Sequence, residues 1–243
     1  MASRKEQKEQ LRREREEREA AAQADQRRRR MIGYAAGGVA VLVVVVVAVV
    51  VLAGGGGDDK GGGGNAGTSS KVLPDGGKIP SRKTDDLQAA ADKAGCTLKD
   101  YKGKSREHTA SLTTKITYDS NPPTEGKHYQ VPADDGAYDT SPDPKQLVHS
   151  MEHGRIVIWF QKRLPAKQRA GLKALFDEDS YQTLLTPDTT GMKYQVAATA
   201  WTRSPTPNGT GHLLACDRMS DSFYDAERAF KDAYRGNGPE AVP

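Results

Sequence analysis

Two histidines and a glutamate stand together as HxxEHG, at His149, Glu152 and His153. Imidazoles at positions i and i+4 of a helix lie one turn apart on the same side, and such a pair can hold one metal ion. Glu152 falls on the adjoining flank, where it can orient a ligand or act on a bound water. A third imidazole, His128, sits in NPPTEGKHY, Asn121 to Tyr129, where the prolines and Gly126 shape a loop able to bring it to the helix. His128, His149 and His153 would make a three-histidine site with an open position, suited to zinc or copper. Met151 belongs with the apolar arc and is counted as core.

Two other readings of these residues remain open. In one, the histidines and Glu152 form a hydrogen-bonded network without metal that braces a loop of a cell-envelope interaction module. In the other, HxxEH is the inverzincin peptidase pattern, with His149 and His153 on zinc, Glu152 as general base and a later carboxylate such as Glu227 as third ligand. The small size of the domain, and a strand following the motif directly, are a poor setting for that hydrolase. His108 and His212 are isolated in sequence and are expected at surface or satisfied positions.

The elements that must position these groups are legible around them. Asp143 is a helix cap, Pro144 suits the first turn, Gln146 stands three after the cap and Gly154 terminates, which predicts a helix from Pro144 to His153. On it Leu147, Val148 and Met151 share one arc, and His149 and His153 lie on the opposite one. Arg155 to Phe160 is an apolar β-rich run that reads as a buried strand. Asp85–Ala94, Leu164–Phe176 and a segment beginning near Ser222 read as further helices, the last with Phe223, Ala226, Phe230 and Tyr234 along one stripe. Tyr194–Thr202 and His212–Cys216 read as strands separated by a turn-rich stretch, in which Asn208 matches a glycosylation acceptor but marks a turn. Together they indicate an α+β fold, one domain with a mixed sheet and flanking helices.

That domain is expected at residues 81–243, behind three segments of different character. Residues 1–30 carry 11 basic and 7 acidic side chains, leaving 25 of each sign elsewhere, so the net charge of +4 belongs to the tail. A balanced domain is not a nucleic-acid reader, which needs its basic surface on the folded part. Charges of both signs interleave from Arg4 to Arg18, as in a solvated helix that sets topology rather than one that docks on anionic lipid. Residues 31–53 hold no charge over 23 positions, and as a helix they would reach about 34 Å, enough to cross a bilayer once. The stretch is too long for a cleaved signal peptide and reads as a retained signal anchor. Arg27 to Arg30 on one flank place the N-terminus in the cytoplasm and the domain outside the plasma membrane. Residues 54–80 include 11 glycines and read as a flexible linker. Outside, the two cysteines, Cys96 and Cys216, are expected to form a disulfide. No protein partner can be read from the chain.

PPTEGKHY at Pro122 to Tyr129, then HSMEHGRIVIWF at His149 to Phe160, ATAW at Ala198 to Trp201, Cys216 and GPE at Gly238 to Glu240 form an ordered set of motifs. In these the chain from about Ala94 to Glu240 resembles the uncharacterised-domain family 3105, common in actinobacterial membrane-anchored proteins. The family pattern has Ser where Glu125 stands and Leu where Met151 stands, which lessens any role for the Met151 sulfur. The resemblance implies the domain and its anchoring but carries no established activity.

Overall fold

The computed structural model describes residues 72–240; the charged tail, the apolar block at residues 31–53 and most of the glycine-rich segment lie outside the described residues. Among the described residues no helix is long and apolar enough to cross a membrane. The folded part begins ahead of Ser81: Leu73 is buried, its N–H donates to Asp139 Oδ1 at 3.0 Å, and the Arg169 guanidinium bonds to the Val72 carbonyl. Val72, Leu73 and Ile79 supply apolar side chains that the surrounding glycines conceal in a composition count.

The fold is α+β with a mixed six-stranded sheet. Helix α1 (Leu87–Ala94) leads into β1 (Cys96–Lys102), then short strands β2 (His108–Thr109), β3 (His128–Tyr129) and β4 (Gly136–Ala137). Helix α2 (Pro144–Glu152) precedes β5 (Ile156–Phe160), α3 (Ala166–Glu178) and β6 (Thr183–Pro187), followed by β7 (Val196–Thr202), β8 (Thr210–Cys216) and α4 (Phe223–Tyr234). The sheet order is β1-β8-β7-β5-β6-β4, with β5, β6 and β4 parallel and the other neighbours antiparallel; β2 and β3 form a separate parallel pair.

Every residue of β5 is buried, because the strand is covered on both faces. Side chains alternate along it. Ile156, Ile158 and Phe160 join a core with α1, α3 and α4, whereas Val157 and Trp159 join a second core with Leu147, Val148 and Met151 of α2. The Trp159 indole N–H, buried there, donates to Thr199 Oγ1 at 2.8 Å. The predicted capping of α2 holds: Asp143 Oδ1 accepts the Lys145 N–H at 2.9 Å, and the helix gives way to His153 and to Gly154 at φ +81°. Helix α3 starts just after Pro165, and α4 just after Ser222.

Cys96 and Cys216 are bonded, directly opposite each other across β1 and β8. The disulfide ties the first strand of the domain to the last.

Candidate metal centre

Helix α2 faces the sheet with its apolar arc and turns its histidines toward the β2–β3 pair. Those two strands run parallel with His108 opposite His128, so two histidines distant in sequence become neighbours on one small ribbon. The loop that delivers His128 is seated on β8. A Cβ on Gly211 would lie 2.4 Å from Thr124 Oγ1 and 3.0 Å from Glu125 Cγ, a close approach that only glycine permits. Glu125 completes the seat by accepting the Lys104 N–H at 2.7 Å.

His128 is fully buried, Glu152 likewise, and His149 nearly so. His128 Nδ1 lies 2.7 Å from the Gly126 carbonyl, and His149 Nδ1 lies 2.7 Å from the Tyr129 carbonyl. A carbonyl only accepts, so each Nδ1 carries a hydrogen and donates it, which leaves each Nε2 directed inward. His128 Nε2 then meets Glu152 Oε2 at 3.0 Å, and neither of these buried atoms has a hydrogen-bond partner. The two are close enough to pair as ions but not aligned for a hydrogen bond.

Around this pair stand the other rings. His108 Nε2 is 3.7 Å from the same Glu152 Oε2, and its ring centroid is 4.5 Å from that of His128 and 4.8 Å from that of His149. His149 Nε2 and His153 Nε2 are 3.1 Å apart. Glu240 enters from the C-terminal tail, whose seat is the end of α2: the Glu240 N–H donates to the Glu152 carbonyl at 3.0 Å. A Cβ on Gly238 would lie 2.2 Å from that same carbonyl oxygen, so the GlyProGlu turn reaches α2 only with glycine there. Glu240 Oε2 ends 3.7 Å from His153 Nε2. Arg106 closes the arrangement, its Nε donating to Glu152 Oε1 at 2.6 Å.

Burial pushes the Glu152 carboxyl upward, but the His128 ring and the Arg106 guanidinium more than offset this and hold it at about 2. It is therefore a permanent carboxylate, a good ligand and a poor proton acceptor. Burial drives His149 down to about 4 against the opposing Tyr129 carbonyl, with the neighbouring rings adding to the fall. Burial also lowers His153, although Glu240 pulls it back up. Imidazole nitrogens beside an ionised carboxylate are the donor types that zinc and copper accept.

Two groups of ligand atoms result, each within 4.8 Å: His108, His128, His149 and Glu152 in one, His149, Glu152, His153 and Glu240 in the other. The three histidines singled out from sequence all lie in this cluster, with His128 and His153 in different groups joined through His149 and Glu152. Glu152, expected beside the ligands, presents Oε2 among them. Glu227 is in neither group: it is buried on α4 with Lys231 Nζ at 3.7 Å, which removes it as a third ligand. His108, expected alone, belongs to the site. Like Arg106 and Glu240 it could not be read from the sequence, because a two-residue strand, a loop and the segment after the last helix carry no periodicity; the only signal was the GPE motif that ends on Glu240.

His212 is satisfied elsewhere, with Nδ1 on Asp100 at 2.7 Å, Nε2 on Thr202 Oγ1 at 2.8 Å and its face stacked on Tyr234. Asn208 is a turn residue whose amide donates to the Lys104 carbonyl at 2.9 Å, while its own carbonyl accepts the Trp201 indole N–H.

Fold and site together define a disulfide-stapled α+β domain carrying a buried histidine–carboxylate cluster. Residues 109–242, more than half of the chain, match the family described as protein of unknown function (DUF3105). The chain belongs to that family. Comparison with curated proteins and with solved structures finds no match.

Proposed function

We propose that the protein is a metal-binding domain of the cell envelope, holding a divalent transition ion, zinc or copper, through His128, His149, His153 and their neighbours, and tethered to the plasma membrane by residues 31–53. The observation that carries the metal reading is the contact of His128 Nε2 with Glu152 Oε2, two buried polar atoms 3.0 Å apart that no hydrogen bond relieves. A proton would serve only along the line between them, whereas a metal ion accepts donors over a wide angular range. The anchor rests on the uncharged 23-residue block and its four flanking arginines, and the Cys96–Cys216 disulfide agrees with an oxidising compartment.

The full-length chain in detergent, stripped with chelator and reloaded, is expected to retain stoichiometric zinc or copper and to unfold at higher temperature when loaded. A ligand at a hundred times its dissociation constant stabilises by about 2.7 kcal/mol. His128→Ala combined with His149→Ala should abolish both effects. A wild-type chain that retains no metal at saturation would leave only the metal-free interaction module. Hydrolysis with Glu152 as base is the weaker reading, since Arg106 and His128 keep that carboxylate from taking up a proton near neutral pH.

A further inference from the structure

We propose that the cluster is built for two ions rather than one, with the Glu152 carboxylate bridging them; this rests on the metal reading above. Six side chains converge, and one tetrahedral ion takes four ligands. The two four-membered groups share His149 and Glu152, and those two are not equivalent as shared ligands. His149 has its Nδ1 committed to the Tyr129 carbonyl, so it offers a single nitrogen lone pair and serves one ion. Glu152 has two oxygens, and they already face different ways: Oε2 toward His128 and His108, Oε1 toward Arg106.

The donors divide accordingly. His108, His128 and Glu152 Oε2 make one half, with separations from that oxygen of 3.7 and 3.0 Å. His149, His153 and Glu240 make the other, linked by contacts of 3.1 and 3.7 Å. Ligands about 2.1 Å from a common tetrahedral ion stand roughly 3.4 Å from one another, so both halves need little rearrangement to close on an ion. Paired ions bridged in this way sit about 3.5–4 Å apart.

Arg106 occupies the remaining place between the carboxylates, 2.6 Å from Glu152 Oε1 and 4.0 Å from Glu240 Oε2. Its guanidinium supplies the positive charge that a second ion would supply. Its side chain is about one-third exposed and on an irregular segment, so it can swing outward. The two ions therefore bind unequally: the half with His108 and His128 fills first, and the second ion must displace Arg106 from Glu152.

The test uses the full-length chain titrated with Co(II) and with Zn(II), bound metal being measured after gel filtration. Two equivalents are expected, the second at least tenfold weaker than the first, with spin coupling between the Co(II) ions diminishing the electron paramagnetic resonance signal as the second binds. His153→Ala with Glu240→Ala should retain one equivalent, and so should His108→Ala. Arg106→Ala should tighten the second equivalent several-fold, a gain that loss of a merely structural contact would not produce. Both His153 and Glu240 are partly exposed, so that double variant carries the test if substitution at His108 prevents folding as judged by near-ultraviolet circular dichroism. Saturation of the wild type at one equivalent overturns the two-ion proposal and leaves the metal reading standing; no bound metal overturns both. Two equivalents persisting in the folded variants would place the ions elsewhere and overturn the proposal.

Discussion

His108 and His128 stand opposite each other on adjacent parallel strands and direct their Nε2 atoms at one oxygen of Glu152, from 3.7 and 3.0 Å. Eighteen residues of irregular chain separate the two strands in sequence. What brings them together is the seat of the Thr124–Glu125 loop on β8, so the cluster depends on residues that touch no ligand atom.

Gly211→Ala is the sharpest probe of that seat. The added methyl would meet Thr124 Oγ1 at 2.4 Å, forcing the loop away from the sheet and His128 with it. We expect a stability loss of about 1–3 kcal/mol from overpacking. Zinc affinity measured against a competing chelator should fall at least tenfold. Unchanged affinity would mean that the loop does not position His128.

Removing Arg106 tests the electrostatics of Glu152. In the metal-free protein Arg106→Ala leaves the buried Oε1 without its partner, at a cost of about 2 kcal/mol. Saturating zinc supplies the missing positive charge, so the difference from wild type in urea unfolding should shrink sharply. An equal penalty with and without zinc would show that the guanidinium and the metal do not act on the same carboxylate.

Glu227 gives the chain a pH dependence independent of the cluster. It is fully buried, neither oxygen has a hydrogen-bond partner, and Lys231 is 3.7 Å away. Burial pushes its carboxyl up to about 7, against the pull of Lys231, Arg235 and Arg228 and with that of Asp179. The folded protein thus holds this proton more tightly than the unfolded chain does. The resulting stability is present below about pH 4.5 and is lost as the pH rises through 7. Glu227→Gln should stabilise the protein by about 1–3 kcal/mol at pH 8 relative to wild type and much less at pH 5. Chemical unfolding at the two pH values decides it.

The disulfide closes a loop with a sequence separation of 120 residues. Cys96→Ser with Cys216→Ser is expected to cost about 2–5 kcal/mol. Cys96 opens the edge strand β1 and Cys216 closes its neighbour β8, five positions beyond Gly211, and neither belongs to the cluster, so metal stoichiometry in the variant that remains folded should be unaltered. Loss of metal together with the bond would show that the sheet edge also supports the cluster.

Much of the fold was readable in advance because local rules and burial agree. Asp143, Pro144 and Gly154 bound α2 as their types require, and the apolar run at Ile156–Phe160 is a strand buried on both faces. Boundaries moved by a residue or two where flanking side chains turned to solvent, and the domain began earlier because Leu73 found a pocket that no pattern in its glycine-rich surroundings announces. His149, Glu152 and His153 were evident as a site because one helix brings them together within two turns.

By itself, the order of residues determined which groups a helix would align: an i, i+4 histidine pair with a glutamate beside it, and a strand placed directly behind. Only the tertiary structure decided what joins them. His108, Arg106 and Glu240 reach the cluster through a short parallel ribbon, an irregular loop and a C-terminal tail, and each is held by close backbone approach at a glycine or by hydrogen bonds to distant carbonyls. Such contacts have no period along the chain, so they become visible only when the two ends of the domain meet across the sheet.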